Sequence, residues 1–182
     1  SDPQPATDIL NDIKINPDVS IELTPFTVSQ TRMDFLRGDT SEEGVSLRDR
    51  SSRFGDIINS APLYVSDPNS NWPDVAATFG DASNLYSTFQ ASLSASPRTP
   101  VVYVGANDGF LHGFDADTGE EVLAYAPSAV SSSSNNSGLH FLTESDYSHR
   151  YYVDGEVTSA DIFINPTPGA GSKSWRTALV GS

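Results

Sequence analysis

The side chains most often recruited for chemistry are few here, and their spacing argues against a reaction centre. The three histidines, His112, His140 and His149, do not fall at the i, i+4 spacing of a HExxH metal helix. Cysteine is absent, which removes thiolate zinc sites, cysteine nucleophiles and disulfide scaffolds together. Serines are abundant, but none sits in a G-x-S-x-G elbow, and neither a P-loop nor a dinucleotide fingerprint occurs. His112 alternates with Phe110 and Phe114, the pattern of a hydrogen-bonded, half-buried histidine. His149 and Arg150 precede two tyrosines and read as a structural polar anchor. Arg48, Arg50 and Arg53 stand among acids in residues 40–56, which suggests a solvated face laced with weak ion pairs rather than a phosphate site. Arg37-Gly38-Asp39 is the tripeptide that integrins bind when a loop displays it. The same residue types also suit a basic last helical turn, a C′ glycine and a turn-opening aspartate, and this second reading is favoured.

The elements that must position these groups centre on Val101–Tyr125. Val101–Val104 is a β-branched and aromatic run with strong strand preference. Gly105-Ala106-Asn107-Asp108-Gly109 follows, with Asn107, Asp108 and Gly109 expected to supply the positive φ of a tight reversal. Phe110–Phe114 resumes the strand, placing Phe110, His112 and Phe114 on one face and Leu111 and Gly113 on the other. A second turn is expected at Asp115–Gly119, with Asp115 making an Asx-turn and Gly119 in the left-handed position. Glu121–Tyr125 returns as a third strand, so the stretch is an antiparallel meander, the core of a propeller blade.

Around this centre, residues 1–20 read as an irregular lead-in and Ile21-Glu22-Leu23 as a short edge strand. A helix is expected near 27–37, with Thr27 as N-cap and Val28, Thr31, Met33, Phe35 and Leu36 as its apolar stripe. Residues 57–65 form a strand candidate. Residues 83–96 read as a helix with Leu85, Tyr86, Phe89 and Leu93 on one face and Ser83 as its cap, ended by Pro97 and Pro100. The serine run 131–138 is expected to be a mobile loop tip. Arg150–Val153, Asp154-Gly155 and Glu156–Ile164 look like a hairpin, and Trp175–Val180 like the last strand.

The chain has 182 residues, 37% of them hydrophobic and 19% charged, enough for a domain with a core. Its 10 basic and 24 acidic side chains give a net charge of -14, which disfavours nucleic acid and anionic lipid as partners. No apolar run approaches the ~20 residues that span a bilayer as a helix. Aligned by character, strands 57–65, 101–104, 110–114 and 121–125 make one blade, near 57–126, and 151–182 begins a second. The whole chain 1–182 is then the N-terminal part of one β-propeller domain, about one and a half blades. A half blade leaves unpaired edges, so the protein is expected to continue beyond Ser182.

FLRGD (35–39), RFGDIINSAPLYV (53–65), TPVVYVGANDGFLHGFDADTGEE (99–121), DYSHRYYVDG (146–155) and WRTALVG (175–181) resemble, in order, the C-terminal propeller of the PilC/PilY family of type IV pilus-associated adhesins. The resemblance covers most of the chain from residue 30 onward. It implies a mainly β fold, a partial propeller of quinoprotein-like four-stranded blades with two short helical insertions. It further implies a bacterial surface protein, exported through the periplasm to the pilus tip, that counters pilus retraction and attaches to host cells. Its expected partners are minor pilins at the tip and a host-surface receptor. The motif positions carried by the resemblance are Gly105, Asn107, Asp108, Gly109, His112, Asp115, Gly119, His149, Arg150, Asp154 and Gly155. The family's calcium loop, of the type Asp-x-Asp-x-Asn-x-Asp, is not found: Asp115 and Asp117 share only its first spacing. No cofactor or metal ligand is therefore assigned here, and any calcium is expected elsewhere in the full-length protein.

The meander is also similar to the blade repeat of quinoprotein dehydrogenases. Turn chemistry explains that likeness without catalysis, and fold does not carry function. A quinone site would need a calcium shell, a base aspartate and stacking groups, whereas this chain has two tryptophans and no such cluster. Binding rather than turnover is expected, with loops 37–53 and 127–149 as the contact surface. A dehydrogenase-like enzyme and a generic extracellular ligand-binding propeller are the alternatives.

Overall fold

The computed structural model describes residues 28–79, 82–132, 134–165 and 171–182. Its centre is a four-stranded antiparallel sheet in sequence order: β1 (Leu63–Val65), β2 (Val101–Gly105), β3 (Leu111–Asp115) and β4 (Glu121–Tyr125). In the register of β2 against β3, Tyr103 pairs with Gly113 and Val104 with His112. Gly113 has no Cβ because the Tyr103 ring and Leu123 occupy that space. A bulge follows between Gly113 and Phe114. A second sheet pairs β5 (Val157–Ile164) with β6 (Ser174–Gly181). The fold is thus mainly β, antiparallel and open, as expected of a partial propeller.

Among the described residues, four α-helices of one to three turns decorate these sheets: α1 (Gln30–Leu36), α2 (Ala76–Phe79), α3 (Tyr86–Ala95) and α4 (Gly138–Phe141). Helix α1 starts later than the sequence suggested. Its N-cap is Ser29, whose Oγ accepts from the Arg32 amide at 3.4 Å. Thr27 and the strand expected at 21–23 lie outside the described residues. At the other end Gly38, at φ 105°, sends its amide to the Phe35 carbonyl and Asp39 sends its own to Asp34, both at 2.9 Å. That pair of bonds is a Schellman cap.

Helix α3 begins at Tyr86 without a cap from Ser83. Asp74 caps it from another segment instead, accepting from the Ser87 amide at 3.0 Å. Hydrogen bonds from Ser87 hold the Asp74 carboxyl below the usual range. The strand expected over 57–65 shrinks to its last three residues. The hairpin expected at Asp154-Gly155 is absent: 151–156 form no strand, and β5 starts at Val157. The two departures have related causes: in 151–156 the Tyr152 amide is taken by Asn107 Oδ1. The Asp154 carboxylate captures the amides of Ile58 and Asn59, taking those groups out of any ladder.

Among the described residues, two cores gather the buried side chains. The first gathers Val28, Met33, Phe35, Leu36, Leu47, Phe110, Leu139 and Leu142 beneath α1. The second is aromatic: Phe79, Tyr86 and Trp175, with Phe89 and Phe163 packed against them. It seats α3 on the β5–β6 hairpin, and Trp175 Nε1 donates to the Asn84 carbonyl at 2.7 Å.

The arginine-rich segment 40–56 is not simply a solvated face. Arg50 lies over the Phe35 ring at 3.6 Å, donates to the Phe35 and Asp39 carbonyls at 2.6 and 2.9 Å, and pairs with Glu43 at 2.6 Å. A desolvated cation on a ring contributes up to ~2 kcal/mol. Arg48 donates to the Leu142 carbonyl at 2.5 Å and covers Tyr147. Burial pushes its pKa down from the ordinary arginine value. Within the serine run the Ser132 and Ser137 hydroxyls meet at 2.6 Å, and a Cβ on Gly138 would strike the Val130 carbonyl.

Candidate functional site

Three segments far apart in sequence meet at the end of β2. They are residues 53–60, the turn 105–110 and residues 146–155. The reversal at 106–110 closes through Ala106 N to Phe110 O at 3.0 Å. Only Gly109 takes positive φ, 97°; Asn107 and Asp108 do not. Their side chains serve long-range bonds instead. Asn107, 3% exposed, accepts from the Tyr152 amide through Oδ1 at 3.0 Å, and its own amide donates to the Asp56 carbonyl at 3.1 Å. Asp108 Oδ2 accepts from the Gly55 amide at 2.9 Å. A Cβ on Gly55 would collide with the backbone of Asn107 and Asp108. One on Gly105 would collide with the Val153 carbonyl, and one on Gly109 with Leu139. Gly55 and Gly105 are required by close backbone approach, Gly109 by its positive φ.

Asp154 is the clamp of this junction. Its carboxylate accepts from Ile58 N and Asn59 N at 3.1 Å each and from Asn59 Nδ2 at 2.6 Å. Burial works to raise its pKa, but those donors prevail and hold it below the usual value. The Gly105 amide meets Ser60 Oγ at 2.9 Å beside it. Gly155 packs against Ser182 and takes no positive φ.

His112 sits under the junction with a carboxylate on each side. Nδ1 lies 2.5 Å from Glu121, and Nε2 lies 3.1 Å from Asp108. The rings of Phe54, Phe110 and Phe114 surround it. Burial opposes its charge, yet the Asp108 and Glu121 carboxylates outweigh that cost and the pKa is raised. His149 reaches Asp56 at 2.9 Å, an exposed pair at the rim. Arg150 lies over Phe141 at 3.9 Å and donates to the Asn136 carbonyl at 2.9 Å, tying the serine run down.

Asp115 and Gly119 stand apart, in the β3–β4 turn. Asp115 Oδ1 accepts from Asp117 N and Thr118 N at 2.8 and 3.0 Å, the Asx arrangement, and Gly119 has φ 75°. Those backbone donors lower the Asp115 pKa. Arg37-Gly38-Asp39 forms the α1 cap described above, with the Arg37 and Asp39 side chains outward.

The arrangement can hold backbones together, and every motif carboxylate and histidine in it is committed to a partner. Among the described residues, no group of three or more His, Asp or Glu is placed to hold a metal ion. Gly55, Asp56, Asn59 and Ser60 are essential to the junction and were not singled out from sequence. The signal was available in the recurrence of Gly-Asp and Asn-Asp-Gly beside strands, since a glycine there marks close backbone approach. On the neighbouring face the loops 37–53 and 127–149 interlock. Arg48 reaches Leu142, and from helix α1 Arg32 adds bonds to the His140 carbonyl, the Thr143 hydroxyl and, at 2.8 Å, Glu144.

A four-stranded antiparallel meander, with a second antiparallel pair packed beside it and backbones locked through glycines and an aspartate clamp, defines a piece of an antiparallel β-propeller. The chain belongs to the family described as the PilY1 beta-propeller domain, which matches residues 54–182. It is 43% identical over 159 residues to a type IV pilus biogenesis factor PilY1 homolog of Xylella fastidiosa. It is 44% identical over 160 residues to the type IV pilus biogenesis factor PilY1 of Pseudomonas aeruginosa strain PAK. Each alignment covers 86% of this chain and 12% of the relative, so the chain spans about an eighth of the length of these proteins. No solved structure matches it.

Proposed function

We propose that this chain is the propeller segment of a type IV pilus biogenesis factor, acting by binding at the bacterial surface rather than by catalysis. In this reading β1–β4 are one blade and β5–β6 the opening half of the next. The observation that carries it is the convergence of the family-like stretches RFGD, GANDG and YSHRYYVDG on one junction. Their residues are spent on holding backbones together, which leaves recognition to the loops they support. Loops 37–53 and 127–149, interlocked through Arg48, form the contact surface offered to minor pilins at the tip or to a host receptor. The net charge of -14 favours neutral or basic partners there.

Surface pili counted by shearing and pilin quantification, in cells lacking the gene, test this reading. Loss of pili that returns when retraction is disabled is the expected result. Unchanged pili in both backgrounds would remove the assembly role.

A further inference from the structure

Away from the junction, and sharing no residue with it, a half-open cleft of about 120 Å³ lies between β1, the loop 66–70 and the β5–β6 hairpin. Asp161, 3% exposed, is among its lining residues. Its carboxylate accepts from the Tyr86 hydroxyl at 2.5 Å and from Thr177 Oγ1 at 2.6 Å. Thr177 accepts in turn from Arg98 at 2.8 Å, and Arg98 Nε donates to the Ser66 carbonyl. The result is a fixed polar chain from the buried Tyr86 to the cleft wall. Asn69 lines the cleft, as does Tyr64, a residue 60% exposed.

Chemistry narrows what such a cleft accepts. A carboxylate offers about four acceptor positions, and the two hydroxyl donors occupy two of them. Burying that charge on neutral donors alone is costly, and a ligand hydroxyl would add a further donor. An anion would meet Asp161 and Asp67, while the Arg98 guanidinium is already engaged with Ser66 and Thr177. A cation would meet Arg98 in the same wall. An apolar ligand would strand the serine, asparagine and aspartate groups without water. A neutral, hydroxyl-rich molecule avoids these conflicts, donating to the carboxylate, accepting from the Asn69 amide, and laying its C–H face on the Tyr64 ring. The cleft is well below the ~300 Å³ of a drug-sized pocket, so it suits one ring rather than a chain.

We propose that this cleft binds a single neutral saccharide unit, with Asp161 and Asn69 as its hydrogen-bonding groups and Tyr64 as its stacking face. The proposal stands apart from the pilus reading, because it is measured on purified protein and the pilus count on cells.

Saturation-transfer NMR on the full chain tests it, using a panel of neutral methyl glycosides beside acetate and Nα-acetyl-lysine amide as charged probes. At least one glycoside is expected to receive saturation. Tyr64→Ala and Asn69→Ala are each expected to weaken binding by about fivefold or more, the scale of one lost interaction, with thermal stability unchanged. Asp161→Asn is expected to abolish binding; should that variant fail to fold, the two rim variants still decide. Binding by no glycoside, binding that survives both rim variants, or binding by a charged probe instead of any glycoside would each overturn the proposal.

Discussion

Two places where segments distant in sequence meet are held by different means. At the junction around Gly105 and Asp154, contact is backbone to backbone, and single atoms decide whether it closes. In the aromatic core around Trp175, contact is ring to ring, with centroids 4.8 Å from Phe79 and Tyr86 and 5.4 Å from Phe163. Amide–carboxylate bonds need fixed geometry, whereas apolar packing tolerates a change of shape if volume is nearly kept. The junction therefore demands residue identity, and the aromatic core demands residue class.

The sharpest test of that contrast is Gly105→Ala. The added methyl meets the Val153 carbonyl, which belongs to a segment already pinned by Asp154 and Asn107. A loss of about 3 kcal/mol is expected in urea unfolding, the upper range for overpacking a site that cannot move. Gly119→Ala is the control. Its Cβ would have open space, so only the positive φ is strained, at about 1 kcal/mol. Equal losses at the two glycines would break the comparison, because the close approach at Gly105, which has no positive φ, would then cost no more than φ strain at one open turn.

How far the sequence could be read follows the same division. The meander, the Asp115–Gly119 turn and the Gly38 cap were legible because each is decided within about five residues. Strand preference, Asx chemistry and positive φ act locally. What escaped the reading was long-range use of residues that also have a local meaning. Asp154-Gly155 has the composition of a hairpin turn, but its carboxylate is spent 96 residues away on Ile58. Asn107 and Asp108 have turn composition, yet they reach Tyr152 and Gly55 and leave the positive φ to Gly109. Arg50 looked like a surface charge because its neighbours are polar; only the fold shows that Phe35 lies beneath it. The polar chain from Tyr86 to Arg98 was not foreseen at all, since its members come from α3, β5, β6 and the approach to β2. A charged residue at a buried position of β5 was its one sequence-level trace.

Next in size is Trp175→Phe. The smaller ring keeps the class of contact, but it loses volume and leaves the Asn84 carbonyl without its indole donor. About 2 kcal/mol is expected by urea unfolding, shared between the cavity and the lost bond. A loss larger than that of Gly105→Ala would reverse the ranking and make the aromatic core the stricter of the two.

The smallest effect is the pH dependence of His112, and its sign is what carries information. Burial alone would favour the neutral ring, whereas Asp108 and Glu121 favour the charged one and prevail, so the native-state pKa lies above its unfolded value. A group raised on folding contributes stability that is complete below the unfolded pKa, about 6.5, and that fades as pH rises through the native-state value. His112→Gln removes the titration while keeping a polar side chain. The gap in Tm between the unmodified protein and this variant should be widest near pH 5.5 and should narrow steadily through the alkaline side of neutrality. A gap that widened with pH would mean that the ring is held neutral. Asp108 would then be held by the Gly55 and Phe110 amides and an uncharged ring, and the link between the 53–56 segment and the blade would owe nothing to an imidazolium.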